Sequence, residues 1–376
     1  MVVFSVIIVI LYVSLIGRLN LGFKKLEIFK PTSTHHHVGF SIIIPFRNEA
    51  VHLPQLLQSI SELDYDPKMF EILLVNDGSR DSSEAIISHF IETQPQLNIT
   101  LLQNKRYSNS PKKDAITLAI SKSKFEWLIT TDADCILPKT WLHSFNTFIK
   151  AHNTSQFIVA PITYITTRKF LNVFQWFDVM SLQGATIGGF GINKPFLCNG
   201  ANLAYTKNAF YTVNGFAENN TIASGDDIFL LEKVSDKFPE SVRYLKSQEA
   251  VIYTHAQPTF SDLINQRKRW ASKTKAYKNT FSKITGLLVL SMNALLICLF
   301  TLMCIRAFSP LYFTVISLIK FYVDFLIIYK TALFFNQKEG LKWYAIVALL
   351  YPLFCTYVAV SSMLTSYTWK DRVFKS

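Results

Sequence analysis

Three apolar stretches, residues 284–305, 311–335 and 343–364, follow one another near the C-terminal end of the 376-residue chain. Each is long enough to cross about 30 Å of hydrocarbon as a helix. A soluble core can bury one such stretch; three in succession call for lipid. A fourth candidate opens the chain. Residues 1–17 are almost wholly apolar, and Leu19, Leu21 and Phe23 carry the run towards spanning length. No basic region precedes it and no small-residue cleavage site follows, so an uncleaved anchor is expected rather than a signal peptide. Charged residues make up only 17% of the chain, against about 25% in soluble domains.

The formal net charge is +12, which raises the question of nucleic acid. Its distribution excludes that class. Arg18, Lys24, Lys25 and Lys30 follow the first apolar run, and Arg267, Lys268, Arg269, Lys273, Lys275, Lys278 and Lys283 precede the next. Basic residues flanking spans on one side mark the cytoplasmic face and its anionic headgroups. Three later crossings would put Lys370, Arg372 and Lys375 on the opposite face. One tail stretch is therefore expected to lie in the interface, and 311–335, interrupted by Lys320 and Asp324, is the candidate. Five cysteines without CxxC spacing exclude a disulfide scaffold. The histidines of the PTSTHHHV linker are expected to be incidental rather than a metal site.

Between the apolar ends the composition turns globular. Short apolar runs at 41–45, 71–76, 99–102, 126–131, 157–160 and 251–254 read as buried strands. Helix-start signals at Asn48–Glu49, Ser79–Asp81 and Ser110–Pro111 stand between the early ones. Strands alternating with helices predict an α/β fold, a mostly parallel sheet with helices on both faces. The expected division is an anchor at 1–23, a linker at 24–39, an enzyme-sized domain at 40–258, an amphipathic interfacial helix at 259–283 and a membrane domain at 284–376.

Ligands of such sheets bind beyond the carboxyl ends of the strands. Asp77 stands at one of those ends, and Asp132 and Asp134 at another. Residues i and i+2 of an extended segment point to one side, so Asp132 and Asp134 can converge on a cation. Oxygen ligands select Mg2+ or Mn2+ over zinc.

The ordered motifs SIIIPFRNEA, VNDGSRDSS, KKDAI, TDADC, CNGANLAY, GDDIFLL and QRKRW resemble those of the family 2 glycosyltransferases, inverting enzymes of the GT-A fold. The late QRKRW is similar to that of the membrane-integrated branch of cellulose, hyaluronan and poly-N-acetylglucosamine synthases. The resemblance implies a nucleotide-sugar donor, UDP-linked, held by Pro45, Asn48, Glu49, Asp77, Lys113, Asp132 and Arg269. It implies a metal, Mn2+ or Mg2+, on Asp134, and a catalytic acidic pair, Asp226 and Asp227, with Asp227 as general base. Asn199, Gly200, Asn202, Gln266 and Trp270 would meet the acceptor.

The function this implies is sugar transfer to a lipid-linked or glycan acceptor by a multi-pass protein of the cell (inner) membrane, its catalytic domain cytoplasmic. The alternatives are a processive polysaccharide synthase, for which a partner subunit or oligomer would complete the channel, and a membrane scaffold with an inactive transferase-like domain. The scaffold would be expected to have lost one of these carboxylates, and all are present. Lys320 and Asp324, spaced i to i+4, are expected to pair on one helix face. Lys320 is further expected to face the bundle and meet a lipid phosphate.

Overall fold

Alternating strand and helix signals produce alternating elements. The computed structural model describes residues 2–32, 37–165, 167–220, 222–369 and 372–374; His35, His36, Lys370 and Lys375 lie outside the described residues. The chain begins with α1 (Val2–Lys25). There follow β1 (Phe40–Phe46), α2 (Leu53–Ser61), β2 (Phe70–Asn76), α3 (Ser83–Thr93), β3 (Ile99–Gln103), α4 (Pro111–Lys122), β4 (Trp127–Thr130), β5 (Cys135–Ile136), α5 (Trp141–Ala151), β6 (Phe157–Val159) and β7 (Ile162–Tyr164). A long helix, α6 (Phe170–Gly191), interrupts the alternation. Then come β8 (Leu203–Thr206), α7 (Lys207–Thr212), α8 (Asp226–Lys237), β9 (Val242–Tyr244) and β10 (Ile252–Thr254). The chain closes through α9 (Phe260–Ser272), α10 (Thr280–Cys304), α11 (Pro310–Phe334) and α12 (Tyr344–Leu364).

Two compact units result. One comprises Glu27–Ile165 and Cys198–His255, the other Met1–Leu26, Thr166–Leu197 and Ala256–Ser376. The first is the α/β unit. Its seven-stranded sheet has the order β3-β2-β1-β4-β8-β6-β9, parallel across β3, β2, β1 and β4 and antiparallel where β8 meets β4 and β6. A small sheet, β5-β10-β7, stands beside it. The central strands β1, β2 and β4 are buried almost throughout, as a sheet covered on both faces requires. Helices α2 and α5 show why they cover it: Leu53, Leu56, Leu57 and Ile60 form one buried stripe, and Trp141, Leu142, Phe145, Phe148 and Ile149 another, at helical spacing.

The register opens the crevice that the fold class leads one to expect. The β1–β2 ladder continues to Phe46 and Asn76, whereas β1–β4 stops at Ile43 and Thr130. Pro45 lies just past that stop, and with no N–H it cannot extend the ladder. The chain of β4 is released there, and Asp132 follows two residues on.

The second unit is helical. Among the described residues, four helices are long and apolar enough to cross a membrane: Val2–Lys25, Thr280–Cys304, Pro310–Phe334 and Lys338–Leu364. Leu287, Leu311 and Leu349 stand exposed on their outer faces, the side suited to lipid. The block 40–258 is not continuous, because α6 belongs to this unit. Its glycines bring it against α1: a Cβ on Gly191 would overlap the carbonyl of Gly22, and one on Gly188 the carbonyl of Leu19. Close backbone approach through small residues is how apolar helices associate without a hydrophobic drive.

The stretch 311–335, expected to lie in the interface, forms one continuous helix, α11, of 25 residues, long and apolar enough to cross a membrane. Lys320 and Asp324 pair as expected, 3.0 Å apart, and the Tyr12 hydroxyl donates to Asp324 over 2.6 Å. Lys320 is 2% exposed, which leaves no surface for a lipid phosphate to reach. The pair instead braces α11 against α1 from inside.

Candidate active site

The loops after β1 and β2 are laced together. Asn48, held at a φ of 52° that Asn tolerates better than most residues, donates its N–H to the Ser79 hydroxyl and accepts from the Arg80 N–H. The Glu49 N–H donates to Ser83 Oγ, and Arg47 donates to the carbonyls of Asp77 and Gly78. The Asp-Gly turn is real, with Gly78 at φ 71°. Asn48 and Glu49, expected at the donor, thus shape the loop that presents Asp77. The Asp77 carboxylate accepts from Asn104 Nδ2 at 2.8 Å and Arg106 Nε at 3.0 Å. Both partners follow β3, and no motif pointed to them.

Beyond β4 the chain does not run on extended as expected but turns, with the Cys135 N–H donating to the Asp132 carbonyl; Ala133 and Cys135 are buried, and Asp132 and Asp134 are half-buried. The two adjacent lysines of KKDAI then separate. Lys113 is 1% exposed, and its ammonium donates to the carbonyls of Asn219 and Ile222 at 2.7 and 2.9 Å. It anchors the loop before α8, and it is buried along α4 together with Ile116 and Ile120. Lys112, one position round, reaches Asp132 Oδ1 at 2.7 Å and Asp226 Oδ2 at 3.2 Å. Burial alone would lower its pKa; the charges of Asp132, Asp226 and Asp227 outweigh that and hold it well above the ordinary lysine value. Lys112 is therefore a permanent cation at neutral pH.

The acidic pair sits at the start of α8, where Gly225 adopts φ 85°. The Gly200 N–H donates to Asp227 Oδ2 at 3.2 Å, and the Gly200 carbonyl accepts from Thr130 Oγ1. A Cβ on Gly200 would lie 3.1 Å from Asp226 Oδ2 and 3.3 Å from Lys112 Nζ. A side chain here would crowd the charged ends of Asp226 and Lys112, which would have to give by a few tenths of an ångström. Gly200→Ala is accordingly expected to lower catalytic efficiency about tenfold while costing about 1 kcal/mol or less in stability. Parallel kinetics and thermal melts check this, and an unchanged kcat/KM would mean the crowding is inconsequential.

Asn199 holds its own turn by accepting from the Ala201 N–H. Asn202, expected at the acceptor, is fully buried: it accepts from the Trp141 indole and donates to the carbonyls of Pro161 and Ala250. With those bonds made inside the core, it is a structural residue. Gln266, Arg269 and Trp270 lie on α9, in the helical unit, and all three are half-buried.

For a divalent cation, Asp134 stands just before β5, whose Cys135 pairs with Thr254 of β10. Among the described residues no three His, Cys, Asp or Glu side chains form a closed metal cage. A single carboxylate suits an ion that takes most of its ligands from a diphosphate.

The family profile "Glycosyl transferase family 2" matches residues 41–212. A dolichyl-phosphate beta-glucosyltransferase of Dictyostelium discoideum is 34% identical over 104 residues, covering 26% of this chain and 31% of that protein. An undecaprenyl-phosphate 4-deoxy-4-formamido-L-arabinose transferase of Pseudomonas aeruginosa is 33% identical over 95 residues, 25% of this chain and 27% of the other. The chain thus matches less than a third of the length of these curated relatives. A mannosyltransferase from Pyrobaculum calidifontis, solved with GDP-Man and Mn2+, superposes with a TM-score of 0.55 at 16% identity, over 96% of this chain and 99% of that one; it shows a shared GT-A fold. A second profile, "Glycosyl transferase family group 2", runs from residue 127 to 359, through the acidic pair and into the apolar helices. Because that match spans more than half of the chain, the protein belongs to the family 2 glycosyltransferases.

Proposed function

We propose that the protein transfers a sugar, with inversion, from a UDP-linked donor to a hydroxyl of a lipid-linked or glycan acceptor at the cytoplasmic face of the cell (inner) membrane. One observation carries this reading. The Lys112 ammonium bridges Asp132, at the strand end where a nucleotide diphosphate would lie, and Asp226 of the acidic pair, 3.2 Å away. Donor-side and acceptor-side carboxylates therefore share one crevice.

In this reading Asp77, steadied by Asn104 and Arg106, accepts from the base and ribose. Asp227, whose two oxygens accept from the Gly200 and Ile228 N–H groups, takes the proton of the acceptor hydroxyl on a remaining lone pair as that hydroxyl oxygen attacks the anomeric carbon. The bond from that carbon to the diphosphate oxygen breaks on the opposite face, and Lys112 meets the charge that departs. A Mn2+ or Mg2+ ion held by Asp134 would supply Lewis-acid neutralisation of the diphosphate. The QRKRW motif assigns Arg269 to the diphosphate, with a bidentate fork suited to phosphate, and Gln266 and Trp270 to the acceptor sugar.

The relatives named for dolichyl and undecaprenyl phosphates favour a second reading, in which the acceptor nucleophile is a lipid phosphate. Such an oxygen is already ionised and needs no base. The test is mass spectrometry of products formed by the purified full-length protein from a panel of nucleotide sugars, with polyprenyl phosphate and polyprenyl-diphosphate-linked N-acetylglucosamine as acceptors. Expected is one sugar added to the linked glycan, lost on chelation and restored by Mn2+. A ladder of products would instead mark a processive synthase, and no product with any donor would overturn the proposal.

A further inference from the structure

Within the helical unit, charged side chains meet where apolar ones would be expected to pack. Asp178, midway along α6, and Arg267, on α9, are 4% and 5% exposed. Arg267 Nε donates to Asp178 Oδ2 at 2.6 Å. The Tyr351 hydroxyl, from α12, donates to the other carboxylate oxygen at 2.8 Å. Arg267 then turns back upon its own helix. Its Nη1 donates to Gln266 Oε1, and its guanidinium lies 4.1 Å from the centre of the Trp270 ring. One guanidinium thus touches two residues of the QRKRW motif.

We infer that Asp178 is a positioning residue for acceptor recognition, acting through Arg267 to fix the Gln266 amide and the plane of the Trp270 indole. The inference rests on the reading of Trp270 as an acceptor-contacting residue. A buried ion pair is a poor way merely to hold helices together, since apolar side chains of similar volume do so at least as well. What it adds is direction. The planar guanidinium offers one edge to the carboxylate, another N–H to the amide and its face to the indole, so the carboxylate's place determines the tilt of the ring. Tyr351 holds that place from the far side. Sugar recognition by an aromatic face depends on that tilt, because the C–H groups of the sugar ring must lie against it.

The test uses the full chain in lipid nanodiscs, the donor selected by the panel above, and polyprenyl-diphosphate-linked N-acetylglucosamine as acceptor. Asp178→Asn, nearly isosteric, is expected to raise the acceptor KM about tenfold while leaving donor KM and acceptor-free donor hydrolysis within about twofold. Asp178→Asn combined with Arg267→Gln removes both charges; it should recover the thermal midpoint while the acceptor KM stays high. Full recovery of the acceptor KM in that double variant would make the pair a structural strut and overturn the inference. If Asp178→Asn does not fold, Tyr351→Phe supplies the measurement: it removes one hydrogen bond and should raise the acceptor KM about two- to threefold, and an unchanged value is equally fatal. Trp270→Ala separates the two levels. An unchanged acceptor KM there ends the reading of Trp270. A raised KM there, with Asp178→Asn unchanged, ends only the positioning role.

Discussion

Asp227→Asn is expected to reduce kcat for a hydroxyl acceptor by about 10²- to 10⁴-fold, the range a positioned general base contributes, while donor affinity stays within about twofold. The amide keeps the size of the carboxylate, and its oxygen still accepts from the Gly200 N–H that now lies 3.2 Å from Oδ2. The first turn of α8 therefore survives the change. What disappears is the site that accepts a proton. The experiment pairs single-turnover kinetics with calorimetric titration of the nucleoside diphosphate. A collapse of affinity with kcat preserved would make Asp227 a binding or capping residue, a role Asp also plays at helix starts. The same variant decides between acceptors. With polyprenyl phosphate as nucleophile no proton need be removed, and a loss below about tenfold with that acceptor would favour the lipid-phosphate reading.

Lys112→Met should weaken nucleoside diphosphate binding about 10- to 100-fold, the scale of one or two charge-assisted hydrogen bonds. It should also cost about 1–2 kcal/mol of stability, because one partner of a half-buried ion pair is removed and two carboxylates are left facing each other. The exposure of Asp132, 37% at its side chain, keeps that cost below the fully buried case. Lys113→Met is the informative control. Its ammonium is engaged by the carbonyls of Asn219 and Ile222, so it should destabilise the loop before α8 yet spare diphosphate affinity in the folded fraction. Equal affinity losses in the two variants would contradict the division of labour between these neighbours.

The part of the site visible in the sequence was the part set by local periodicity. Asp77, Asp132 and Asp134 could be placed at strand ends because a buried parallel strand is a short apolar run and a carboxylate ends it. The choice between Lys112 and Lys113 was not within reach, since both stand at same-face helical spacing from Ile116 and only packing buries Lys113. Nor was the role of Asn202. Its CNGANLAY motif carries no sign that Trp141, 61 residues away, would claim its carbonyl.

Sequence by itself determined the alternating α/β region, the four apolar helices and the family, each being a property of short windows read one after another. Tertiary structure alone decided the rest. It carried α6 into the helical unit, where glycines let α1 approach its backbone. It set Lys112 between Asp132 and Asp226, and joined Arg267 to Asp178 across 89 residues. The physical reason is the same in every case. Hydropathy and helix or strand period are carried by neighbours in the chain, whereas the partner of a charge is chosen by whichever side chain packing brings within about 3 Å.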